Sequence, residues 1–212
     1  MEKFIRPDQY HFIQSCAHHL YKNNLISKDA AVTNALKEMT HEKVLEAFQS
    51  LTLPQKQIID QIKNVQDETD AILYFSRIKQ YVNPLADITE ETIQLLFPKT
   101  KKLTIPDLNK LEWTELSYIG WNDYGTVKKF IVTTIDDRLV GLSGHFSSSV
   151  KHGICSICHE QGNVGLLTSV VSRQTNGEMV SRGNYICVDS QTCNKNLKSR
   201  DHLENFMKRM KS

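Results

Sequence analysis

Glycine is missing from the first 119 residues of this 212-residue chain; the first of its nine glycines is Gly120. A stretch without glycine offers no phosphate-cradling loop. The absence fits helical hairpins. No run approaches the ~18 consecutive apolar residues of a membrane-spanning helix. The opening Met1-Glu2-Lys3-Phe4-Ile5-Arg6-Pro7 contains no apolar segment of an export signal. Charge of one sign is not in excess either: 26 Lys and Arg stand against 24 Asp and Glu. That balance says little by itself; residues 151–212 are mildly basic, far from the density of a dedicated nucleic-acid binder. Internal repeats and low-complexity tracts are absent as well.

What is present describes an ordinary globular chain, 40% apolar and 24% charged. Its length allows one large domain or two small ones, and a small domain often needs a metal or disulfide as a staple. Cysteine numbers five, an odd count, and four of them fall between Cys155 and Cys193. In a chain without an export signal this favours metal ligation over disulfides, and a cytoplasmic location is expected.

Residues 7–82 predict helix after helix. Pro7 suits a first helical turn, and Tyr10, Ile13, Cys16, Ala17, Leu20 and Tyr21 recur on one face. Ser27 is the expected cap of a second helix that buries Val32, Ala35, Leu36 and Met39. Thr40 would cap a third with Val44, Leu45, Phe48 and Leu51 inward. Thr52 and Pro54 open a fourth, with Ile58, Ile59, Ile62 and Val65. A fifth starts near Asp67, buries Ile72, Phe75, Ile78 and Val82, and ends at Asn83-Pro84. Short connections make neighbouring helices antiparallel, hence a small bundle over 1–82.

The character changes after residue 83. A short helix capped by Thr89 runs to Phe97, and Pro98 with Lys99, Lys101 and Lys102 marks a connector. Segments 129–135 and 138–143 flank Asp136-Asp137 as a hairpin, and 164–172 with 179–188 form a second, turning at Thr175-Asn176-Gly177. Residues 201–211 read as an amphipathic helix with Leu203, Phe206, Met207 and Met210 inward. The fold class expected is therefore α+β: a helical bundle over 1–82, then an α/β domain over 83–212 containing a metal module at about 150–212.

The chemistry is concentrated in that module. Gly153-Ile154-Cys155-Ser156-Ile157-Cys158 is a knuckle, a tight turn that presents two thiolates to one ion. Cys187 follows one hairpin later, and Cys193 just beyond it. Zinc accepts four tetrahedral thiolates, and a knuckle, a hairpin, a strand end and a helix start are the layout of a treble clef. Four thiolates leave no open coordination position, so one structural zinc, without water activation, is expected. A redox Cys-x-x-Cys pair would need a strand–helix context that a turn into a hairpin does not supply. His152 and His159 flank the knuckle as alternative ligands, and four cysteines leave them as bystanders. Cys16 reads as a small core residue. Gly141-Leu142-Ser143-Gly144 resembles a nucleophile elbow, yet His145 stands where its last glycine belongs. No catalytic residue is assigned.

Three separated segments carry a resemblance: Ile5-Arg6-Pro7-Asp8-Gln9-Tyr10, Tyr118-Ile119-Gly120-Trp121-Asn122, and the knuckle together with Gly183-Asn184-Tyr185-Ile186-Cys187-Val188-Asp189-Ser190 and Cys193-Asn194-Lys195. In this order they resemble the elongation factor G-binding proteins that confer fusidic acid resistance. The resemblance implies a helical bundle followed by a treble-clef zinc domain, with no enzymatic activity, membrane or small-molecule substrate. It implies binding to elongation factor G, mainly through the zinc-bearing domain, and release of the factor from drug-stalled ribosomes. The ribosome itself would be engaged only indirectly. The position before the first cysteine is commonly aromatic in the family and is Ile154 here; the basic residue before Gly-x-Tyr is lysine in close relatives and is Arg182 here.

On this reading Tyr185 and Arg182 form the energetic centre of the interface, with Ile154 beside them. Strand alternation puts Tyr185 and Cys187 on one face and Arg182 on the other, and Gly183 is expected to mark a bulge that re-aims its neighbours. Packing of Tyr185 within the zinc domain is the competing reading. A zinc-containing RNA or ribosome binder is the alternative function, because residues 151–212 carry nine basic and five acidic side chains.

Overall fold

Pro7 has no amide hydrogen to leave unpaired, and helix α1 (Pro7–Ile26) begins on it. The computed structural model describes residues 1–26, 29–85, 88–100, 102–173 and 179–211. Two compact units divide the chain, Met1–Asn83 and Pro84–Ser212.

In the first unit all six residues expected on the inner face of α1, from Tyr10 to Tyr21, are buried. Helix α2 (Ala30–Glu46) is capped by the Asp29 carboxylate, which accepts from the amides of Ala31 and Val32; Ser27 lies outside the described residues. Thr40 does not start a new helix. It sits inside α2, because no glycine or proline interrupts residues 30–46 and one threonine costs a helix only about half a kcal/mol. The expected inner face of this helix is also corrected. Val32, Ala35 and Met39 are exposed, and the buried stripe runs through Leu36, His41 and Val44 instead.

Thr52 caps α3 (Leu53–Asp60) in a reciprocal box with Gln55, and the helix tightens into a 3-10 turn at Gln61–Asn64 that buries Ile62. Asp67 caps α4 (Glu68–Lys79), which buries Ala71, Tyr74, Phe75 and Ile78. Ile72, expected inside, is exposed; Tyr74 takes the inward place, donating its hydroxyl to the Ile59 carbonyl. The two ends of the unit are tied. Ile5 bridges Val82 in parallel, and the Asn83 amide donates to the Ile5 carbonyl at 2.7 Å.

The second unit opens with α5 (Glu90–Leu96), capped by Thr89. Five antiparallel strands follow in sequential order: β1 (Ile119–Asp123), β2 (Lys128–Ile135), β3 (Arg138–Ile154), β4 (Gln161–Arg173) and β5 (Met179–Cys187). Both expected strand pairs form. Asp136 and Asp137 take φ of 48° and 56°, the left-handed pair of a two-residue turn that suits the twist of the strands. Strand β1 was not legible as a strand, and β3 runs eleven residues past the expected Ser143, with a register shift between Ser147 and Lys151. The expected turn Thr175-Asn176-Gly177 lies outside the described residues.

One face of the sheet is covered by α5, where Trp121 stacks on Phe130 at 5.1 Å and Phe97 meets both rings. Gly141 permits this: a Cβ there would meet the Phe97 ring at 2.8 Å. The other face carries α6 (Ser190–Asn196) and α7 (Arg200–Lys211), whose Leu203, Phe206, Met207 and Met210 are all buried. Among the described residues no helix is long and apolar enough to cross a membrane.

Candidate metal centre

The second core of this unit closes around sulfur. Strand β3 delivers Cys155 into a turn that Cys158 completes, with the His159 amide donating to the Cys155 carbonyl and His159 at φ 62°. Histidine is among the residues that tolerate this conformation. The end of β5 supplies Cys187. Helix α6, capped by the Asp189 carboxylate on the amides of Gln191 and Thr192, supplies Cys193. A backbone bond from the Ser156 amide to the Tyr185 carbonyl holds the knuckle against β5.

Four buried sulfurs therefore lie within 4.8 Å of one another. The Cys155–Cys193 and Cys158–Cys187 separations are both 3.7 Å. A tetrahedron with zinc–sulfur bonds of about 2.3 Å has edges of about 3.8 Å, so the spacing fits zinc. It does not fit a disulfide, which needs about 2.05 Å. The electrostatics agree with the geometry. Hydrogen bonds with Cys158, Cys187 and Cys193 pull the Cys155 thiol far down, while bonds with Cys155 first, then Cys158, push Cys187 and Cys193 up. Four thiols this close cannot all ionise unless a cation sits among them. Amides of Ile157 and Cys187 already point at the Cys155 sulfur, each at 3.3 Å.

His152 is exposed, and His159 stacks on His202 at 3.8 Å, so neither joins the cluster. Cys16 is buried in the helical unit, and Ser143 lies within β3.

Three polar residues that frame the centre were missed in the sequence. Asn194 is buried beside Cys193, its amide oxygen accepting from Ser117 and Tyr118 and its nitrogen donating to Tyr118 and Ser190. Asn122 and Lys129 face each other across β1 and β2, and both donate to the carbonyl of Val188, the residue after Cys187. Burial pulls the Lys129 ammonium down to about 8, opposed by Cys193, Asp189, Cys187 and Cys155. The available signal was a lysine alternating with Ile131 and Thr133 on one strand face.

Tyr185 and Ile154 are exposed, at 41% and 62%. Pairing of β5 with β4 is unbroken from Cys187 to Ser181, so the bulge expected at Gly183 is absent; the register shifts between Val170 and Ser172 instead. Glycine opposite Thr168 is accommodated in regular pairing, and Arg182 stays on the face of α7, donating to the Arg209 carbonyl at 2.6 Å.

A helical unit followed by a sheet-and-helix unit closed on four cysteines defines an α+β protein with a treble-clef zinc finger. Residues 94–211 match the family described as FBP C-terminal treble-clef zinc-finger, and residues 4–86 match elongation factor G-binding protein, N-terminal. The chain belongs to this elongation factor G-binding family and carries one structural zinc. Its fold is similar to the solved structure of the fusidic acid resistance protein FusC, with a TM-score of 0.86 and 25% identity over 99% of this chain and 98% of that one. No curated protein matches the sequence.

Proposed function

We propose that this chain is a non-enzymatic, cytoplasmic factor that binds elongation factor G and promotes its release from ribosomes stalled by fusidic acid. The observation that carries this is the end-to-end likeness to a fusidic acid resistance protein, joined to two family matches in the same order. Zinc, held by Cys155, Cys158, Cys187 and Cys193, would act as scaffold: it fixes the knuckle and so the surface around it.

On that surface Tyr185 is the anchor, with Ile154 beside the knuckle. A half-exposed tyrosine on rigid backing loses little freedom when it binds. Arg182 would enter from the other face, its guanidinium exchanging the Arg209 carbonyl for a partner group. Metal-fixed surfaces of this kind need no small-molecule substrate. The RNA reading draws less support, because much of the basic tail is engaged internally: Lys198 pairs with Glu160, and Arg200 and Lys208 with Glu204.

Capture of elongation factor G on the immobilised chain, followed by factor release from fusidic acid-stalled ribosomes, tests the proposal. Tyr185→Ala should weaken capture by about 2 kcal/mol with zinc content intact. Undiminished capture by Tyr185→Ala together with Arg182→Ala would move the interface elsewhere. Absence of capture by the unaltered chain would end the reading.

A further inference from the structure

An ammonium group kept from water needs a compensating charge, and Lys129 has none in its immediate shell. The residue is 1% exposed. Its Nζ lies 4.9 Å from the centre of the Phe146 ring and donates to the Val188 carbonyl at 2.9 Å and Asn122 Oδ1 at 3.1 Å. Both acceptors are neutral. The nearby Asp189 carboxylate is occupied with capping α6 and with the Thr192 hydroxyl. Among the described residues no carboxylate forms an ion pair with Lys129. A lysine in this position would ordinarily be replaced at little cost by an apolar side chain of the same length.

The zinc centre has the opposite imbalance. Four thiolates around one doubly charged ion leave two uncompensated negative charges, in a place where all four cysteines are buried. Burying net charge without a partner is costly. The two imbalances meet at Val188. Its carbonyl receives Lys129, and it follows Cys187 directly in the chain. Burial works against the ammonium form of Lys129, and the negative charge of Cys193, Asp189, Cys187 and Cys155 works for it.

We propose that Lys129 is the built-in counter-charge of the zinc–thiolate centre, steadied in place by Asn122 and the Val188 carbonyl. It is a positioning and charge-balancing residue, not a ligand. The proposal rests on the reading that the four cysteines hold zinc, and the test separates the two. Zinc content of the purified full-length chain comes first: a chain that takes up no zinc overturns both.

With zinc bound, competition against a chromophoric chelator gives the affinity of four proteins: wild type, Lys129→Met, Lys129→Arg and Asn122→Ala. Removing a supporting residue of a metal site weakens binding by roughly 10–100-fold. Lys129→Met, which keeps the shape and removes the charge, should fall in that range. Its cobalt-substituted form should also show a displaced sulfur-to-metal charge-transfer band. Lys129→Arg should recover to within about threefold of wild type, and Asn122→Ala, which loosens the clamp and keeps the charge, should lie equally close. Wild-type affinity in Lys129→Met overturns the proposal. So does equal weakening in Lys129→Met and Asn122→Ala, since the lysine would then be a mechanical clamp alone. Should Lys129→Met not fold, nitrogen-15 NMR of the zinc-loaded wild type at about pH 7 decides: an ammonium is expected at Lys129, and a neutral amine overturns the assignment.

Discussion

Asn194 shows what a single buried side chain can hold together. Its amide satisfies the Ser117 and Tyr118 amides, 77 and 76 residues away in sequence, and also the Tyr118 and Ser190 carbonyls. Every polar atom of the side chain is therefore spent on locking α6, and with it Cys193, to the chain entering β1. Asn194→Ala strands at least two buried amides, each costing about 1–3 kcal/mol. Urea unfolding of the second unit should show a loss of about 2–4 kcal/mol, and a loss below 1 kcal/mol would mean that water replaces the amide. The four cysteines were legible because their chemistry is written in spacing. Asn194 and Lys129 were not, because a polar side chain is buried by partners that arrive from distant segments. For Lys129 the one local sign is its alternation with Ile131 and Thr133 along the strand.

At the level of elements, capping was the most legible feature. Thr52, Asp67 and Thr89 all start the helices expected of them. Inner faces were less so: α2 shows Val32, Ala35 and Met39 to solvent, while Leu36, His41 and Val44 supply its inner face. The turn at Asp136-Asp137 was read from two acidic residues between apolar runs, and the structure adds the reason that it is tight. Both residues sit at positive φ, where glycine is favoured and branched side chains are strained. Asp137→Gly should leave stability unchanged or raise it by up to about 1 kcal/mol, whereas Asp137→Val should cost about 1–3 kcal/mol. Thermal melting of the two variants checks the order; a valine variant as stable as the glycine one would contradict the turn.

Across the whole molecule, the order of helical unit and then zinc-bearing sheet was legible, and the register shifts were not. Shifts such as that between Ser147 and Lys151 follow from how sheet, knuckle and helices fit together, which no short window of sequence records. The two units have separate cores, and only the second includes the four sulfurs. Metal removal should therefore act on one of them. A strong chelator should unfold the zinc module and leave α1 to α4 intact, since binding and folding are coupled in small thiolate domains. Limited proteolysis after chelation should spare a fragment near Met1–Asn83. Digestion of the whole chain at one rate would show that the units stand or fall together.

Sequential strand order also governs how quickly the centre can close. Each strand of the sheet pairs with its neighbour in the chain, so the sheet can zip hairpin by hairpin with little loop-closure entropy at any step. The sulfurs that must meet are 29 and 38 residues apart along the chain. Pairing of Val164 with Cys187 removes most of that distance. An ion that binds the chain so shortened would close the cage and fold the knuckle and α6 with it, the coupling of binding and folding that small thiolate domains show.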